Sequence, residues 1–286
     1  MGRREVTDTN NIRSAARIVR DRLEDQLFRR RIITPALYVC EFPKSGGTWV
    51  QSMLIDVMRA GLSPPSRLRP VTHNHWASDG RWRPAVYVVR DGRDVVVSMY
   101  FHNARLLRAR SIWAPRLRAF FTSVLGPGFD LDDIRGNLPL FIEGLAVDPF
   151  GGVQRRARRS TVPGWPDHVR GWMSASEVPV IRYESLLSNC AAELAELCAA
   201  LRISINLDTA QGVADRHSFA AKTGRLRGVE DRASFYRKGI AGDWRNWFTK
   251  EAAQVFDAYA GDALVELGYE RDRTWVQTLA AKPRSA

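Results

Sequence analysis

The chain has 286 residues, of which 45% are hydrophobic and 26% charged, and its formal net charge is +12. This size and composition are typical of a folded chain with a core, as one large domain or two small ones. We see no apolar run near the roughly 20 residues that cross a bilayer and no signal-peptide core, so we expect a cytoplasmic protein. The three cysteines lack zinc or disulfide spacing. The positive charge favours anionic partners such as nucleic acid, anionic lipid or a phosphorylated small molecule.

The N-terminal segment, residues 1–35, is predicted to form an amphipathic helix. Its apolar residues between positions 10 and 31 recur at the spacing of one helix face. We interpret it as a helix that packs on the following domain. A helix on a membrane surface is the alternative, and acidic residues within the segment weaken it.

Three β-type runs, at 36–42, 85–90 and 178–187, are each followed by a helical pattern. This order predicts an α/β fold in three layers, with a central parallel sheet flanked by helices. Ligands of such sheets bind at the carboxyl ends of the strands. Lys44, Arg90 and Tyr183 each lie at or just past such an end.

Residues 103–165 contain recurrent proline and glycine and do not show a regular period. A long irregular segment in a compact domain is usually functional or disordered, and its aromatic residues argue against disorder. We predict a substrate-facing lid or insertion. A flap that binds a partner protein is the alternative.

The stretch "EFPKSGGTW" (41–49) combines the features of an anion-binding turn, although its lysine precedes the glycines, unlike that of a triphosphate-binding loop. A strand that ends in a glycine turn and opens a helix presents backbone N–H groups to an anion. The neighbouring side chains add a positive charge, two hydroxyl donors and a flat aromatic face for a purine. The candidate residues are Lys44, Ser45, Gly46, Gly47, Thr48 and Trp49.

Two further segments supply anion-binding groups. In "YVVRDGRDVVVSMYFH" (87–102), Arg90 ends a strand and Ser98 follows two helical turns into the next element. In "FYRKGIAGDWRNWF" (235–248), Arg237, Lys238 and Gly239 form a basic loop. Two anion sites and a third basic loop favour a ligand with two separated phosphate groups.

These segments resemble those of the soluble sulfotransferases that use 3′-phosphoadenosine 5′-phosphosulfate (PAPS), as a bacterial-like member. "FPKSGGTW" is similar to their 5′-phosphosulfate loop, whose usual form is close to YPKSGTTW. "YVVRDGRDVVVSMY" resembles their 3′-phosphate segment, and "YRKGIAGDWRNWF" resembles their RKGxxGDWK signature. The resemblance implies a P-loop-like sulfotransferase domain over 36–275, with the helix 1–35 before it and a tail, 276–286, after it.

The resemblance also implies a role for each matching residue. Lys44 would stabilise the leaving phosphate, Ser45 to Thr48 would cradle the 5′-phosphate, and Trp49 would stack on the adenine. Arg90, Ser98 and the basic loop would hold the 3′-phosphate. Tyr183 and Phe219 would contact the adenine, although His217 stands where the family has threonine beside the latter. The implied cofactor-binding set is Lys44, Ser45, Gly46, Gly47, Thr48, Trp49, Arg90, Ser98, Tyr183, Phe219, Arg237, Lys238 and Gly239.

The implied general base is a histidine, and "RPVTHNHW" places His73 at its position. The lysine that usually comes shortly before it is absent. His75 is the alternative, because residues two apart in an extended segment share a face. The implied catalytic set is therefore His73, Lys44 and Ser98. His102 is interpreted as a helix residue just past the phosphate site and near the acceptor, and His168 as a packing and hydrogen-bonding residue.

We expect adenosine 3′,5′-bisphosphate as the product, a small-molecule, lipid or glycan acceptor, and no metal. The oligomeric state stays open. A nucleotide kinase is one alternative, but it would need a G-K-[ST] loop and an acidic metal ligand. A nucleic-acid-binding protein is another, suggested by the net charge and by "RRARR" (155–159).

Overall fold

A computed structural model describes residues 36–60, 71–78, 80, 82, 84–152 and 163–279. The predicted N-terminal helix and the "RRARR" segment lie outside the described residues, as do the last residues of the predicted tail. The predictions made for them are therefore not addressed by the structure.

Four strands within the described residues form one parallel sheet in the order β2-β1-β3-β4. The chain reaches β3 from β2 by crossing β1, so the switch in strand order lies beside β1. This arrangement confirms the predicted parallel α/β sheet. The strands are β1 Leu37–Glu41, β2 Val71–Asn74, β3 Ala85–Val89 and β4 Val180–Arg182.

Helices cover both faces of the sheet. Two single-turn 3₁₀ helices, Asp243–Asn246 and Arg273–Val276, flank the last long helix. The α-helices are α1 Gly47–Ala60, α2 Gly92–Arg108, α3 Ala114–Leu125, α4 Ile134–Val147, α5 Trp165–Met173, α6 Tyr183–Ser188, α7 Cys190–Ala200, α8 Leu207–Arg216, α9 Phe219–Thr223 and α10 Lys250–Glu266.

The central strands send alternate side chains into two separate cores. In β1, Leu37 and Val39 join the core formed with α1, α7 and α8, while Tyr38 and Cys40 join the core formed with α2 to α5 and α10. Successive side chains of a strand point to opposite faces. A strand buried on both faces therefore reads as a continuous apolar run, as this one does.

The prediction of irregular structure over 103–165 is wrong for most of this segment. Besides the end of α2, it contains α3 and α4, whose Phe121 and Phe141 are fully buried. Pro115 lies in the first turn of α3, where its missing N–H costs no helical hydrogen bond. The prolines that suggested loops are thus compatible with helices, and tertiary packing tolerates Pro139 inside α4. Its role as a lid stays a prediction.

The predicted strand over 178–187 is also shorter than expected. Only Val180–Arg182 pairs with β3, and α6 begins at Tyr183. Leu186 is buried three residues after Tyr183, which is the spacing of a helix face. Tyr183 consequently lies at the carboxyl end of the strand, as predicted. None of the described helices is both long and apolar enough to span a bilayer.

Candidate active site

The turn from β1 into α1 has the backbone of a tight anion-binding loop. Lys44 has a φ of 76° and Gly46 a φ of 109°, so the chain turns through the left-handed region on both sides of Ser45. The Ser45 N–H donates to the Phe42 carbonyl at 3.1 Å, and the Trp49 N–H donates to the Gly46 carbonyl at 2.9 Å. The turn leads directly into the first turn of α1.

A cavity of about 270 Å³ opens at this turn, where the strands have their carboxyl ends. It brings together all the predicted site residues except Ser45 and Gly47, which shape the turn without lining the cavity. Residues far apart in sequence thus converge as the three motifs predict. The predicted residues that line it are Lys44, Gly46, Thr48, Trp49, His73, His75, Arg90, Ser98, Tyr183, Phe219, Arg237, Lys238 and Gly239.

Lys44 is a cation in a desolvated setting. Burial lowers the pKa of its amino group to about 8, and the positive Arg105 and Arg90 lower it further against the opposing effect of Glu41. Its Nζ lies 4.3 Å from the centroid of the Phe235 ring. A desolvated ammonium gains more from a bound anion than an exposed one does, because water screens it less.

Arg90 joins the turn to the basic loop. Its Nη1 donates to the Lys44 carbonyl at 3.2 Å and its Nη2 donates to the Ile240 carbonyl at 3.3 Å. The guanidinium lies 4.2 Å from the centroid of the Tyr183 ring. Within the described residues its buried Nε has no hydrogen-bond partner. Burying an N–H donor without a partner costs free energy, unless a bound ligand accepts its hydrogen bond.

Aromatic rings enclose another side of the cavity. Trp49 and Tyr183 meet edge to face with centroids 6.0 Å apart. The indole Nε1 of Trp49 is buried without a partner among the described residues. Gly239 has a φ of 66°, and a Cβ placed on it would overlap the Phe219 ring. Glycine is therefore required here for two reasons, its backbone conformation and this close approach.

The two cations of the basic loop point at a buried carboxylate that sequence analysis missed. Arg237 Nη2 and Lys238 Nζ lie 2.5 and 2.6 Å from the oxygens of Asp243, and Arg237 also pairs with Glu230. Burial raises the pKa of Asp243, but the hydrogen bonds and charges of Lys238 and Arg237 lower it well below its usual range. The loop is thus held by its own ion pairs. Asp243 belongs to the GDW part of the motif "FYRKGIAGDWRNWF", and that was the only feature of the sequence that could have identified it as a site residue.

The two candidate bases, His73 and His75, both contact Glu41. His73 Nε2 lies 2.9 Å from Oε1 of Glu41, and His75 Nδ1 lies 3.3 Å from its backbone carbonyl. Burial lowers the pKa of His75 to about 3, and the neighbouring His73 lowers it too. An imidazole with so low a pKa is a weak base, which favours His73 over His75 as the general base.

The carboxylate of Glu41 is engaged on both sides. Its Oε2 accepts the Gly47 N–H at 2.5 Å, the group that sequence analysis assigned to the 5′-phosphate. Ligand atoms of Glu41, His73 and His75 lie within 4.8 Å of one another, a spacing that a transition metal ion can bridge. Because one carboxylate oxygen accepts the Gly47 N–H and the other lies within hydrogen-bond distance of His73 Nε2, we interpret the group as a hydrogen-bonded cluster. The expected absence of a metal stays a prediction.

His102 and His168 both have lowered pKa values. His102 lines the cavity, and burial together with Lys44 and Arg105 lowers its pKa to about 2. His168 Nδ1 lies 2.9 Å from the Tyr87 hydroxyl, and burial lowers its pKa to about 4. The interpretation of His168 as a packing residue is confirmed. Phe150, which lies in the segment predicted to face the substrate, lines the cavity. Sequence analysis missed Phe235, which also lines it and does not stand out among the chain's other aromatic residues.

Comparison with known proteins matches residues 83–268, well over half of the chain, to the sulfotransferase domain. Human sulfotransferase 2B1 is 24% identical over 249 residues, which cover 77% of this chain and 64% of that protein. Mouse sulfotransferase 2A2 is 28% identical over 185 residues, covering 60% and 53%. Cytosolic sulfotransferase 1 of Danio rerio is 26% identical over 275 residues, covering 77% and 80%. The chain thus spans less than two thirds of the first two of these relatives.

Solved structures of the same fold include retinol dehydratase in complex with androsterone and the inactive cofactor PAP. Its TM-score is 0.54 at 16% identity, over 86% of this chain and 85% of that one. Mouse sulfotransferase SULT7A1 complexed with PAP gives a TM-score of 0.50 at 18% identity, over 85% and 88%. At these identities the likeness shows a shared fold. With the match over 83–268, it establishes that the chain belongs to the sulfotransferase domain family.

Proposed function

We propose that this protein transfers the sulfuryl group of PAPS to a hydroxyl or amine of a small-molecule, lipid or glycan acceptor, and releases adenosine 3′,5′-bisphosphate. The observation that carries the proposal is the meeting of two separate cationic groups and a histidine pair on one cavity. Lys44 lies at the α1 turn, while Arg90 lies beside the basic loop. The two solved structures of the same fold are complexes with PAP, which supports the same donor here. The relative named a cytosolic sulfotransferase supports a cytoplasmic location.

The described residues fit such a donor. Arg90 Nε and Trp49 Nε1 are buried donors that lack partners within the described part of the chain, and both residues line the cavity. A Cβ on Gly46 would lie 2.7 Å from the Tyr183 ring. Glycine at this position therefore lets the backbone of the turn pack closely on that ring. We assign the 5′-phosphate to the turn at 44–48 and the 3′-phosphate to Arg90, Ser98 and the basic loop.

The proposed mechanism is in-line transfer without a metal. As the acceptor oxygen bonds to sulfur, the bond between sulfur and the 5′-phosphate oxygen breaks, and its electron pair stays on that phosphate. His73 takes the acceptor's proton, and Lys44 stabilises the charge that grows on the leaving phosphate. Stabilisation that strengthens in the transition state raises turnover rather than binding alone.

The acceptor side of the cavity favours an apolar hydroxylated molecule. Phe150 and Phe235 line it, and His102 is kept neutral by its surroundings. The acceptor therefore meets rings and an uncharged imidazole beside the proposed base. Apolar walls with a few placed polar groups are typical of small-molecule sites.

Replacement of the base tests the proposal. His73→Ala should lower turnover by about 10²–10⁴-fold while the affinity for adenosine 3′,5′-bisphosphate stays near that of the wild type. The measurement is transfer of labelled sulfate from PAPS to a panel of phenols, alcohols, amines and sugars, paired with calorimetric titration of the bisphosphate. His75→Ala is the matched control and should retain most turnover. Undiminished transfer by His73→Ala would remove it as the base.

A further inference from the structure

Glu41 is a buried carboxylate that lines the cavity, at the last residue of β1, and it has no role in the mechanism above. The residue is 3% exposed. One oxygen accepts the Gly47 N–H at the start of α1, and the other lies 2.9 Å from His73 Nε2. A single side chain therefore joins the helix that opens the donor turn to the strand that carries the base.

Gly47 makes this arrangement possible. A Cβ on Gly47 would lie 2.7 Å from His73 Nε2 and 2.8 Å from the Glu41 carboxyl carbon. At these separations a side chain at position 47 would require the Glu41 or His73 side chain to move. The related loop form close to YPKSGTTW has threonine at this position. The glycine thus leaves room for the contact between the carboxylate and the imidazole as the structure has it.

The carboxylate is held as an anion. Burial raises its pKa, but His73, His75 and the Gly47 N–H lower the pKa of Glu41 below its ordinary value. An anionic carboxylate accepts hydrogen bonds and cannot donate one. Of the two neutral forms of the His73 ring, it therefore selects the one that carries its proton on Nε2.

We propose that Glu41 is a positioning residue for the base: it accepts the Nε2–H of His73 and leaves Nδ1 as the nitrogen that takes the acceptor's proton. This inference rests on the proposed function for its catalytic consequence. The carboxylate fixes the ring's orientation and stabilises the imidazolium that forms, as a carboxylate does in other acid–base sites built on histidine. The proton moves from the acceptor oxygen to Nδ1, and the Nε2 proton remains in its bond to Glu41.

The location of Glu41 also predicts how its removal separates two measurements. The carboxylate is a negative charge at the helix N-terminus, where the donor phosphate is expected. Its charge opposes anion binding while its hydrogen bond supports the base. Glu41 also supports the charge of Lys44, so binding is compared at about pH 6, where Lys44 stays charged. Glu41→Gln should lower turnover at least about tenfold, while at that pH the bisphosphate binds as tightly as to the wild type, or more tightly. A purely structural lesion would weaken both.

A matched control isolates the effect of removing a buried carboxylate. Asp257 is largely buried on α10, where it pairs with Arg273 away from the cavity. Asp257→Asn should lower the melting temperature without changing turnover. Equal loss of turnover in Asp257→Asn and Glu41→Gln would overturn the assignment. So would weaker bisphosphate binding by Glu41→Gln at about pH 6, where Lys44 is charged in both proteins.

A spectroscopic measurement tests the inference independently of sulfate transfer. Nitrogen-15 NMR of labelled protein, with His73→Gln for assignment, should show neutral His73 protonated on Nε2, with a mixed population in Glu41→Ala. A wild-type ring protonated on Nδ1 would overturn the inference. Loss of wild-type turnover on treatment with EDTA, restored by Zn²⁺, would overturn it in favour of a metal site on the same side chains. If His73 is protonated on Nε2 but the protein transfers no sulfate, the proposed function is contradicted, while the hydrogen bond between His73 and Glu41 still stands.

Discussion

At the scale of single residues, the charge of Lys44 depends on its surroundings. Burial and the nearby Arg105 and Arg90 lower its pKa to about 8, while Glu41 opposes them. The amino group is charged at neutral pH and loses its proton as the pH rises through about 8. Because the charged form is the one that binds an anion, donor affinity is linked to this single titration.

This linkage predicts how bisphosphate affinity changes with pH. Between pH 7 and 9 the dissociation constant should rise by roughly tenfold, since one pH unit past the pKa leaves about a tenth of the lysine charged. Lys44→Arg is the matched control, because a guanidinium stays charged over this range. Calorimetric titrations at each pH measure both proteins. The same rise in Lys44→Arg would show that another group is responsible.

Residues differ in how far sequence could predict them. Lys44, Arg90 and Tyr183 were predictable because each follows the end of an apolar strand, and parallel strands end at one edge. The contact of Glu41 was not predictable from sequence, because its partner His73 lies 32 residues away on another strand. The contact also depends on the space left by glycine at position 47. The choice between His73 and His75 likewise needed the burial that only the fold supplies.

At the scale of elements, two glycines with left-handed backbones are compared, Gly239 in the basic loop and Gly224 at the end of α9. Their φ values are 66° and 68°. They differ in their surroundings, because Gly239 packs on Phe219 whereas nothing lies within 4 Å of a Cβ on Gly224. A comparison of substitutions at Gly239 and Gly224 therefore distinguishes the effect of backbone strain from the effect of contact with the Phe219 ring.

Alanine substitutions at the two glycines exploit this difference. Both should destabilise the fold by about 1–2 kcal/mol through the left-handed backbone. Gly239→Ala should also displace Phe219 and weaken bisphosphate binding, while Gly224→Ala should not. Denaturant unfolding and calorimetric titration measure the two effects. Equal affinities in the two variants would show that the Gly239–Phe219 contact does not shape the donor site.

The helices α3 and α4 show where local patterns fail. Pro115 and Pro139 suggested loops, yet Pro115 occupies a first helical turn and Pro139 is buried within a helix. Tertiary packing of Phe121 and Phe141 compensates for the local cost. Local propensity is a weak guide when a segment contributes large aromatic rings to a core. Tertiary packing also explains why β4 is shorter than predicted, because Leu186 is buried in the core as part of a helix.

At the scale of the whole molecule, the sheet gathers three sequence motifs at one edge. The strands β1 and β3 contribute side chains to both cores, and a helix follows β4 directly. The parallel pairing of β1, β3 and β4 brings their carboxyl ends to the same edge of the sheet. The cavity forms where these ends meet α1, α2 and the basic loop. Three ordered motifs were sufficient to predict this edge from sequence. The acceptor pocket was predictable only in part. Phe150 belongs to the segment predicted to face the substrate, whereas Phe235 was not predicted to line the cavity.

The central claim is that this edge binds a nucleotide with separate 3′- and 5′-phosphates. The most direct measurement is the melting temperature of the wild-type protein with adenosine 3′,5′-bisphosphate, adenosine 2′,5′-bisphosphate, ATP or duplex DNA, each at the same concentration. A ligand at 100 times its dissociation constant stabilises the native state by about 2.7 kcal/mol. We expect a rise with the 3′,5′-bisphosphate that exceeds any rise with the other three. No rise with it, or an equal rise with ATP or DNA, would show that this edge does not select such a nucleotide.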